Sequence, residues 1–536
     1  MNVAHTIKPM IELDRRISLE DAGLVASGAA SLTLAKAADT RCNAAFARLQ
    51  RAIAENRHVY GVTTGFGPLA NRLVSPRHGE ILQQNLVYHL ASGVGPVLPW
   101  TTARAIVLAR LVALVQGASG ASQETLSRLI ALLNSDLAPD IPARGTVGAS
   151  GDLTPLAHVV LALQGKGGFR TSNGKKIAGE TALEILGVTP LDLSHRDGLA
   201  LVNGTSAMTG IGVLNALRLA RALDWSVVLS IAIAEALGAR REAWDPALAA
   251  LRPHAGQVWA AGALTDATEM STWLERGPLS DRVLTSDLDQ ATETTAGQDA
   301  YTLRCAPQII GGVADAASWH AGVVETELHS VTDNPVFPDA TGPLALHGGN
   351  FMGVHIALAS DAAAAAVTVL AGFHERQIAR ITDERLNNGL PAFLSGGPLG
   401  LNSGFMGAQV TSTALVAEMR SLGMTSTQSI STNGANQDVV SQGTIAARLL
   451  SDRIDLLFQV QAILAMVAVQ AIELRERPDK AGLSKSSKSL LQTVREISPF
   501  LSVDRPLGPE IERLAARLET VTPSEAQKLV VGPHHR

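Results

Sequence analysis

Residues 144–158 read Arg-Gly-Thr-Val-Gly-Ala-Ser-Gly-Asp-Leu-Thr-Pro-Leu-Ala-His, or RGTVGASGDLTPLAH. The stretch joins a loop to a helix start. Gly145, Gly148 and Gly151 give backbone freedom, and the run Asp152-Leu153-Thr154-Pro155 can open a helix, because Pro is tolerated in a first turn. At its centre Ala149-Ser150-Gly151 has a chemistry of its own. The Gly amide nitrogen can attack the Ala carbonyl, and loss of two waters leaves an imidazolone ring whose exocyclic methylene comes from the Ser side chain. A helix beginning just beyond would turn the positive end of its dipole toward that site.

Such a ring is 4-methylideneimidazol-5-one, MIO, and the triplet by itself is weak evidence for it. Ala-Ser-Gly occurs four times, starting at Ala26, Ala91, Ala118 and Ala149. The ordinary reading of each is a set of small residues in a helix or turn. Ala26 and Ala118 lie in helical patterns, where Ser and Gly allow close packing. Only Ala149 is preceded by a further glycine and followed by a polar-then-Pro run.

The rest of the chain bounds the answer. Its 536 residues are 46% hydrophobic and 17% charged, enough for a large core and more than one ordinary domain. A net charge of -5 and a pI near 6.3 give no broad pull toward nucleic acid or anionic membrane, and no basic run is present. Two distant cysteines, Cys42 and Cys305, suggest neither a disulfide framework nor a metal site. The N-terminal stretch lacks the pattern of a secretory signal. Long apolar stretches meet Glu235, Asp361, Gln461, Gln470 and Glu473, groups that would be costly in lipid. They read as helices buried in protein, in a soluble cytoplasmic chain.

The pattern predicts a mainly α fold. Candidate helices are Thr102–Ser135, Met208–Glu242, Phe351–Asp383, Ala408–Leu422 and Ser441–Arg475. Some are apolar almost all round, as in a central bundle completed by other subunits. Gly-rich loops concentrate early, so a loop-rich domain is placed at 1–200 and an elongated helical bundle at 201–536. The Ser/Lys-rich stretch Gly482–Ser489 reads as a solvated loop, and the tail from Thr522 as mobile.

GTVGASGDLTPLAH resembles the signature of the histidine, phenylalanine and tyrosine ammonia-lyases and related aminomutases. Six further stretches match in order: VYGVTTGFG, LVNGTSAM, GQDAYTLRCAPQ, VTDNPVF, HGGNFMG and NGANQDVVS. The resemblance implies a histidine ammonia-lyase-like fold, related to the fumarase/aspartase bundle. It implies MIO formed autocatalytically from Ala149, Ser150 and Gly151, with no metal or nucleotide. The substrate amine would add to the methylene, becoming a better leaving group, while Tyr60 removes the β-proton. A phenol, ionising ordinarily near about 10, is a poor base at neutral pH, so the role requires a positive local field from Arg304 or helix N-termini. Arg304 matches the family's carboxylate-binding Arg, a task suited to a planar, bidentate cation. Asn203 and Tyr301 match residues bonding the cofactor and the substrate carboxylate. Gly67, Phe351, Asn433, Asn436 and Gln437 fall at substrate-binding positions. A homotetramer with active sites shared between subunits is also implied.

Substrate choice rests on fewer residues. In the segment Asn85–Gly93, tyrosine-selective members carry His-Leu where His89 and Leu90 stand. A buried para-hydroxyl without a partner costs roughly 1–3 kcal/mol, so an imidazole partner discriminates against phenylalanine. Gln437 is neutral where histidine lyases carry Glu. The expectation is tyrosine ammonia-lyase chemistry, giving p-coumarate, with weaker action on phenylalanine giving trans-cinnamate. The alternatives are a tyrosine 2,3-aminomutase, which shares the motifs but often has His at the position of Leu90, and a phenylalanine or histidine lyase. Gly65–Ala70 fits a dinucleotide fingerprint but carries Pro68 and precedes no βαβ unit. Gly148–Gly151 approaches a nucleophile elbow, with Asp152 where Gly is needed. An inactive helical scaffold is disfavoured because no matched position is replaced. Intact mass tests the electrophile directly: the purified chain should weigh two waters less than its encoded sequence, and a full-length mass would remove the basis for a lyase.

Overall fold

The computed structural model describes residues 8–281, 297–338, 341–475 and 480–523. These form two compact units, each assembled from separated stretches. The first takes the described residues of Met1–Leu217, His320–Asp361 and Met424–Leu450; the second takes those of Arg218–Trp319, Ala362–Gly423 and Ser451–Arg536. The sequence places one boundary near residue 200, whereas the chain changes unit five times. Four of the changes fall inside long helices: Ser206–Leu237, Ala306–Leu328, Val354–Thr382 and Gly443–Leu474.

The protein is mainly helical, and among the described residues its strands are short and confined to the first two hundred positions. Met10–Leu13 pairs in parallel with Ser31–Leu34, and Leu137–Pro139, Phe169–Thr171 and Lys176–Ile177 form a three-stranded sheet. Val94–Val97 pairs antiparallel with Pro142–Arg144, immediately before the loop that carries the Ala149 triplet.

Four predicted helices appear with shifted ends, at Ser206–Leu237, Val354–Thr382, Met406–Ser421 and Gly443–Leu474. Val354–Thr382 and Gly443–Leu474 are long and apolar enough to cross a membrane, yet 61% and 83% of their most apolar windows are buried in protein. The helix Ala306–Leu328 escapes the periodicity reading. It opens on Ala306-Pro307, which fits a first turn, and contains Gly311, Gly312 and Gly322, which depress propensity; a Cβ on Gly311 would run into the Gln257 backbone, whereas Gly312 and Gly322 face open space.

Three expectations need correction. Thr102–Ser135 is two helices, Trp100–Val115 and Gln123–Leu133, parted by a turn in which Gly117 and Gly120 take positive φ. The Ala118 triplet therefore lies in that turn. Ala26 ends the helix Leu19–Ala26, with Ser27 as its cap, so it too is at a helix end. Gly482–Ser489 is not a solvated loop. Ser484 caps the helix Lys485–Arg495, Ser486 and Ser487 are buried, and the Ser484 amide and hydroxyl both donate to Glu235, at 2.7 and 3.1 Å. Serine reads as solvated by composition but satisfies a buried carboxylate here. The tail from 524 onward lies outside the described residues.

Trp100–Val115 is buried nearly all round, and two arginines ride inside it. Arg104 donates to the carbonyls of Val25, Ala26, Leu132 and Leu133, the last turns of two helices, and to those of Ser135 and Leu137. One cation thus satisfies orphan carbonyls at two helix ends. Burial pushes its pKa down to about 10, which leaves it charged at neutral pH.

Candidate active site

Of the four Ala-Ser-Gly triplets, the one at Ala149 alone runs directly into a helix N-terminus, that of Leu153–Leu163. Ala91 caps the C-terminus of Gly79–Leu90. Glycine is required around Ser150 for reasons of space as well as φ. A Cβ on Gly148 would come within 2.3 Å of Ser441 Oγ, and one on Gly151 within 2.2 Å of the Gly204 carbonyl oxygen. Both residues have positive φ, +69° and +74°.

The LVNGTSAM segment packs against this loop residue by residue. Asn203 Nδ2 donates to the Ser150 carbonyl at 2.9 Å, while its Oδ1 accepts from the Asn334 amide at 2.7 Å. These two bonds fix which way the amide points. The Asp152 amide donates to the Gly204 carbonyl at 2.7 Å. The Asp152 carboxylate accepts from Met208 N–H at 2.8 Å, in the first turn of Ser206–Leu237, and from the Thr444 hydroxyl. Burial raises its pKa to about 6 despite those donors. Behind Asn203, Arg110 Nη1 donates to the Asn203 carbonyl at 2.7 Å.

Ser150 opens on a cavity of about 750 Å³. Tyr60, Gly67, His89, Leu90, Ala149, Ser150, Asn203, Phe351, Asn433, Asn436 and Gln437, all expected site residues, line it. Gln437 Nε2 donates to Ser150 Oγ at 2.8 Å. Tyr60 Oη accepts from Gly67 N–H at 2.8 Å, and the Tyr60 amide donates to His347 Nε2 at 3.1 Å. Gly67 begins a short 3-10 turn to Leu69, so the stretch resembling a dinucleotide fingerprint holds a phenol oxygen instead. A Cβ on Gly67 would lie 3.1 Å from Asn433 Nδ2, which keeps that turn close to the Asn433–Gln437 loop.

His89 and Leu90 end the helix Gly79–Leu90. His89 Nδ1 lies 3.0 Å from the Asn85 carbonyl oxygen. A carbonyl only accepts, so Nδ1 carries a proton, and in the tautomer protonated there alone Nε2 is an acceptor.

Gly151 adjoins the lining without forming part of it, and Tyr301 and Arg304 are the exceptions. Among the described residues they do not line this cavity and belong to the second unit. Tyr301 is exposed, and the Arg304 guanidinium stands 4.7 Å over its ring while donating to Gln298. Asn334, which orients Asn203 and lines the cavity, was not singled out by sequence. Its place in VTDNPVF was the available signal.

An aromatic amino acid lyase model matches residues 17–496. The chain is 59% identical over 516 residues to a tyrosine ammonia-lyase of Cereibacter sphaeroides, covering 96% of this chain and 98% of that one. It is 40% identical over 473 residues to an MIO-dependent tyrosine 2,3-aminomutase of Streptomyces globisporus, covering 87% and 86%. Among solved structures, tyrosine aminomutase from Streptomyces globisporus superposes with a TM-score of 0.90 at 35% identity, over 96% and 97% of the two chains. Histidine ammonia-lyase from Trypanosoma cruzi gives 0.85 at 31%, over 98% and 96%. The chain belongs to the aromatic amino acid lyase family, and its fold is that of the histidine ammonia-lyases and aminomutases.

Proposed function

We propose that this protein eliminates ammonia from L-tyrosine without oxidation, giving trans-p-coumarate, and acts more weakly on L-phenylalanine. The observation that carries the reading is that His89, with Nε2 left as an acceptor, lines the same cavity as Ser150 and Tyr60. The likeness to the Cereibacter enzyme supports it.

The cofactor is MIO, formed autocatalytically from Ala149, Ser150 and Gly151. The tight Gly148 and Gly151 turns, and the bond that holds the Ser150 carbonyl, suit a cyclised tripeptide; the Gln437 bond to the Ser150 hydroxyl belongs to the uncyclised chain, because that oxygen leaves as water. MIO supplies an electrophilic methylene that makes the amine a better leaving group. The surrounding residues then have separable tasks. Tyr60 Oη takes the β-proton, and the Gly67 N–H donated to it stabilises negative charge on that oxygen. Asn203 holds the carbonyl of the electrophile in place, with the Leu153 helix N-terminus beside it, and Gln437 lines the cavity at the substrate. Phe351 and Leu90 pack on the aromatic ring, and His89 Nε2 accepts a hydrogen bond from the para-hydroxyl. Asn433 and Asn436 border the Tyr60–Gly67 turn.

Arg304 and Tyr301 reach a cavity of another subunit in a homotetramer, where Arg304 pairs with the substrate carboxylate. The exposure of Tyr301 supports this, as do the exposed apolar residues Leu358 and Val369 on a long helix. Co-expressing inactive Tyr60→Phe and Arg304→Ala chains should then restore turnover through sites that draw one intact residue from each. Mixtures no more active than either parent would sink the shared site.

The second reading is a tyrosine 2,3-aminomutase, favoured by the closeness of the Streptomyces structure. Leu90 favours the lyase. Incubation with tyrosine, phenylalanine and histidine separates the readings: p-coumarate from tyrosine is expected, and β-tyrosine as main product overturns the lyase. His89→Phe should move preference toward phenylalanine, and an unchanged ratio of kcat/KM values would refute the role of His89.

A further inference from the structure

The segment that carries His89 and the segment that carries Ser150 are joined behind the cavity. Helix Gly79–Leu90 passes through Ala91-Ser92-Gly93 into the strand Val94–Val97, which pairs with Pro142–Arg144. Gly145 follows at once and leads to Ala149. Gly93 is packed on three sides: a Cβ there would meet His158 Nε2 at 3.0 Å, Pro142 Cβ at 3.2 Å and Thr154 Cγ2 at 3.2 Å. A Cβ on Gly145 would meet Gly93 Cα and Thr154 Cγ2, each at 3.1 Å. A side-chain hydrogen bond ties this knot, from the Gly93 amide to His158 Nε2 at 3.3 Å.

His158 closes the RGTVGASGDLTPLAH stretch and sits on the helix that starts just after Ser150. An amide can only donate, so Nε2 must be the bare nitrogen of a neutral imidazole. Partial burial holds the His158 pKa below its ordinary value, which favours that neutral form. Three residues separate Gly93 from His89.

We propose that His158 is a specificity-positioning residue: by tying the end of the His89 helix to the helix that follows Ser150, it sets the distance between the group that reads the para-hydroxyl and the electrophile. It touches no substrate and acts through His89. A slip of the His89 helix leaves a phenyl ring its apolar contacts but pulls the imidazole away from a hydroxyl, because a hydrogen bond tolerates far less displacement than dispersion contact.

This inference rests on the tyrosine reading, and the two fail differently. Inhibition constants of p-coumarate and cinnamate against tyrosine turnover provide the readout. If the unaltered protein does not bind p-coumarate more tightly than cinnamate, the substrate reading falls, and this one with it, before any variant is made. Given that preference, His158→Leu should weaken p-coumarate by about tenfold and cinnamate by less than about twofold, since loss of one hydrogen bond is of that order. His158→Gln, whose carbonyl oxygen can replace Nε2 as acceptor, should restore the ratio. In a His89→Phe background, His158→Leu should leave the ratio unchanged, the non-additivity expected of residues acting through one another. Equal weakening of both ligands, or a ratio change that persists without His89, overturns the proposal. Should His158→Leu not fold, His158→Asn, too short to reach Gly93, carries the same expectations.

Discussion

The site depends on one close contact between two stretches of backbone. Gly151 and Gly204 approach so nearly that neither tolerates a Cβ: Gly151 is stopped by the Gly204 carbonyl at 2.2 Å and Gly204 by Arg110 Nη1 at 2.1 Å. Loop, loop and guanidinium stack with no atom to spare. The contact brings residues 203–208 into register with 150–152. Asn203 then meets the Ser150 carbonyl, the Gly204 carbonyl meets the Asp152 amide, and Met208 N–H meets the Asp152 carboxylate. A one-residue shift in either segment would break all of these together.

Charge buried behind the loop supports that register. Arg110 and Arg196 are both fully buried, and Arg196 pairs with Asp333 at 3.1 Å. Burial pushes Arg110 down to about 10, so it remains a cation at neutral pH and pulls on the Asn203 carbonyl. Losing one partner of such a buried pair costs about 3–5 kcal/mol, because the other charge is then stranded. Asp333 and Asn334 are neighbours in sequence, so the residue that neutralises the interior adjoins the one that orients Asn203.

Much of the cavity was legible in the sequence, and the reason is local. Tyr60 and Gly67 meet within one turn, His89 and Leu90 lie side by side, and Ala149–Gly151 is contiguous, so short motifs carry the geometry with them. What was not legible depends on long-range pairing. Periodicity continues across Gly117 and Gly120 because flanking residues on both sides are apolar, and the break comes from φ values alone. Ser484 and Ser487 read as solvent-facing until Glu235, some 249 residues away for Ser484, is found against the former. The Gly93–His158 bond, which spans 65 residues, has no local signal at all.

The interleaving of the two units bears on how the chain reaches its native state. The first unit draws on residues as late as Leu450, and its Asp152 is bonded to Thr444. During synthesis, therefore, neither unit can close while the ribosome is still making the first four hundred residues. Loops of that length make folding slow and leave the apolar helices uncovered meanwhile, the state in which aggregation competes. A truncated piece ending near residue 217 would lack the Thr444 and Asn334 contacts that finish the Ser150 loop. Both units are thus completed only once residues 424–450 and those from Ser451 onward are available.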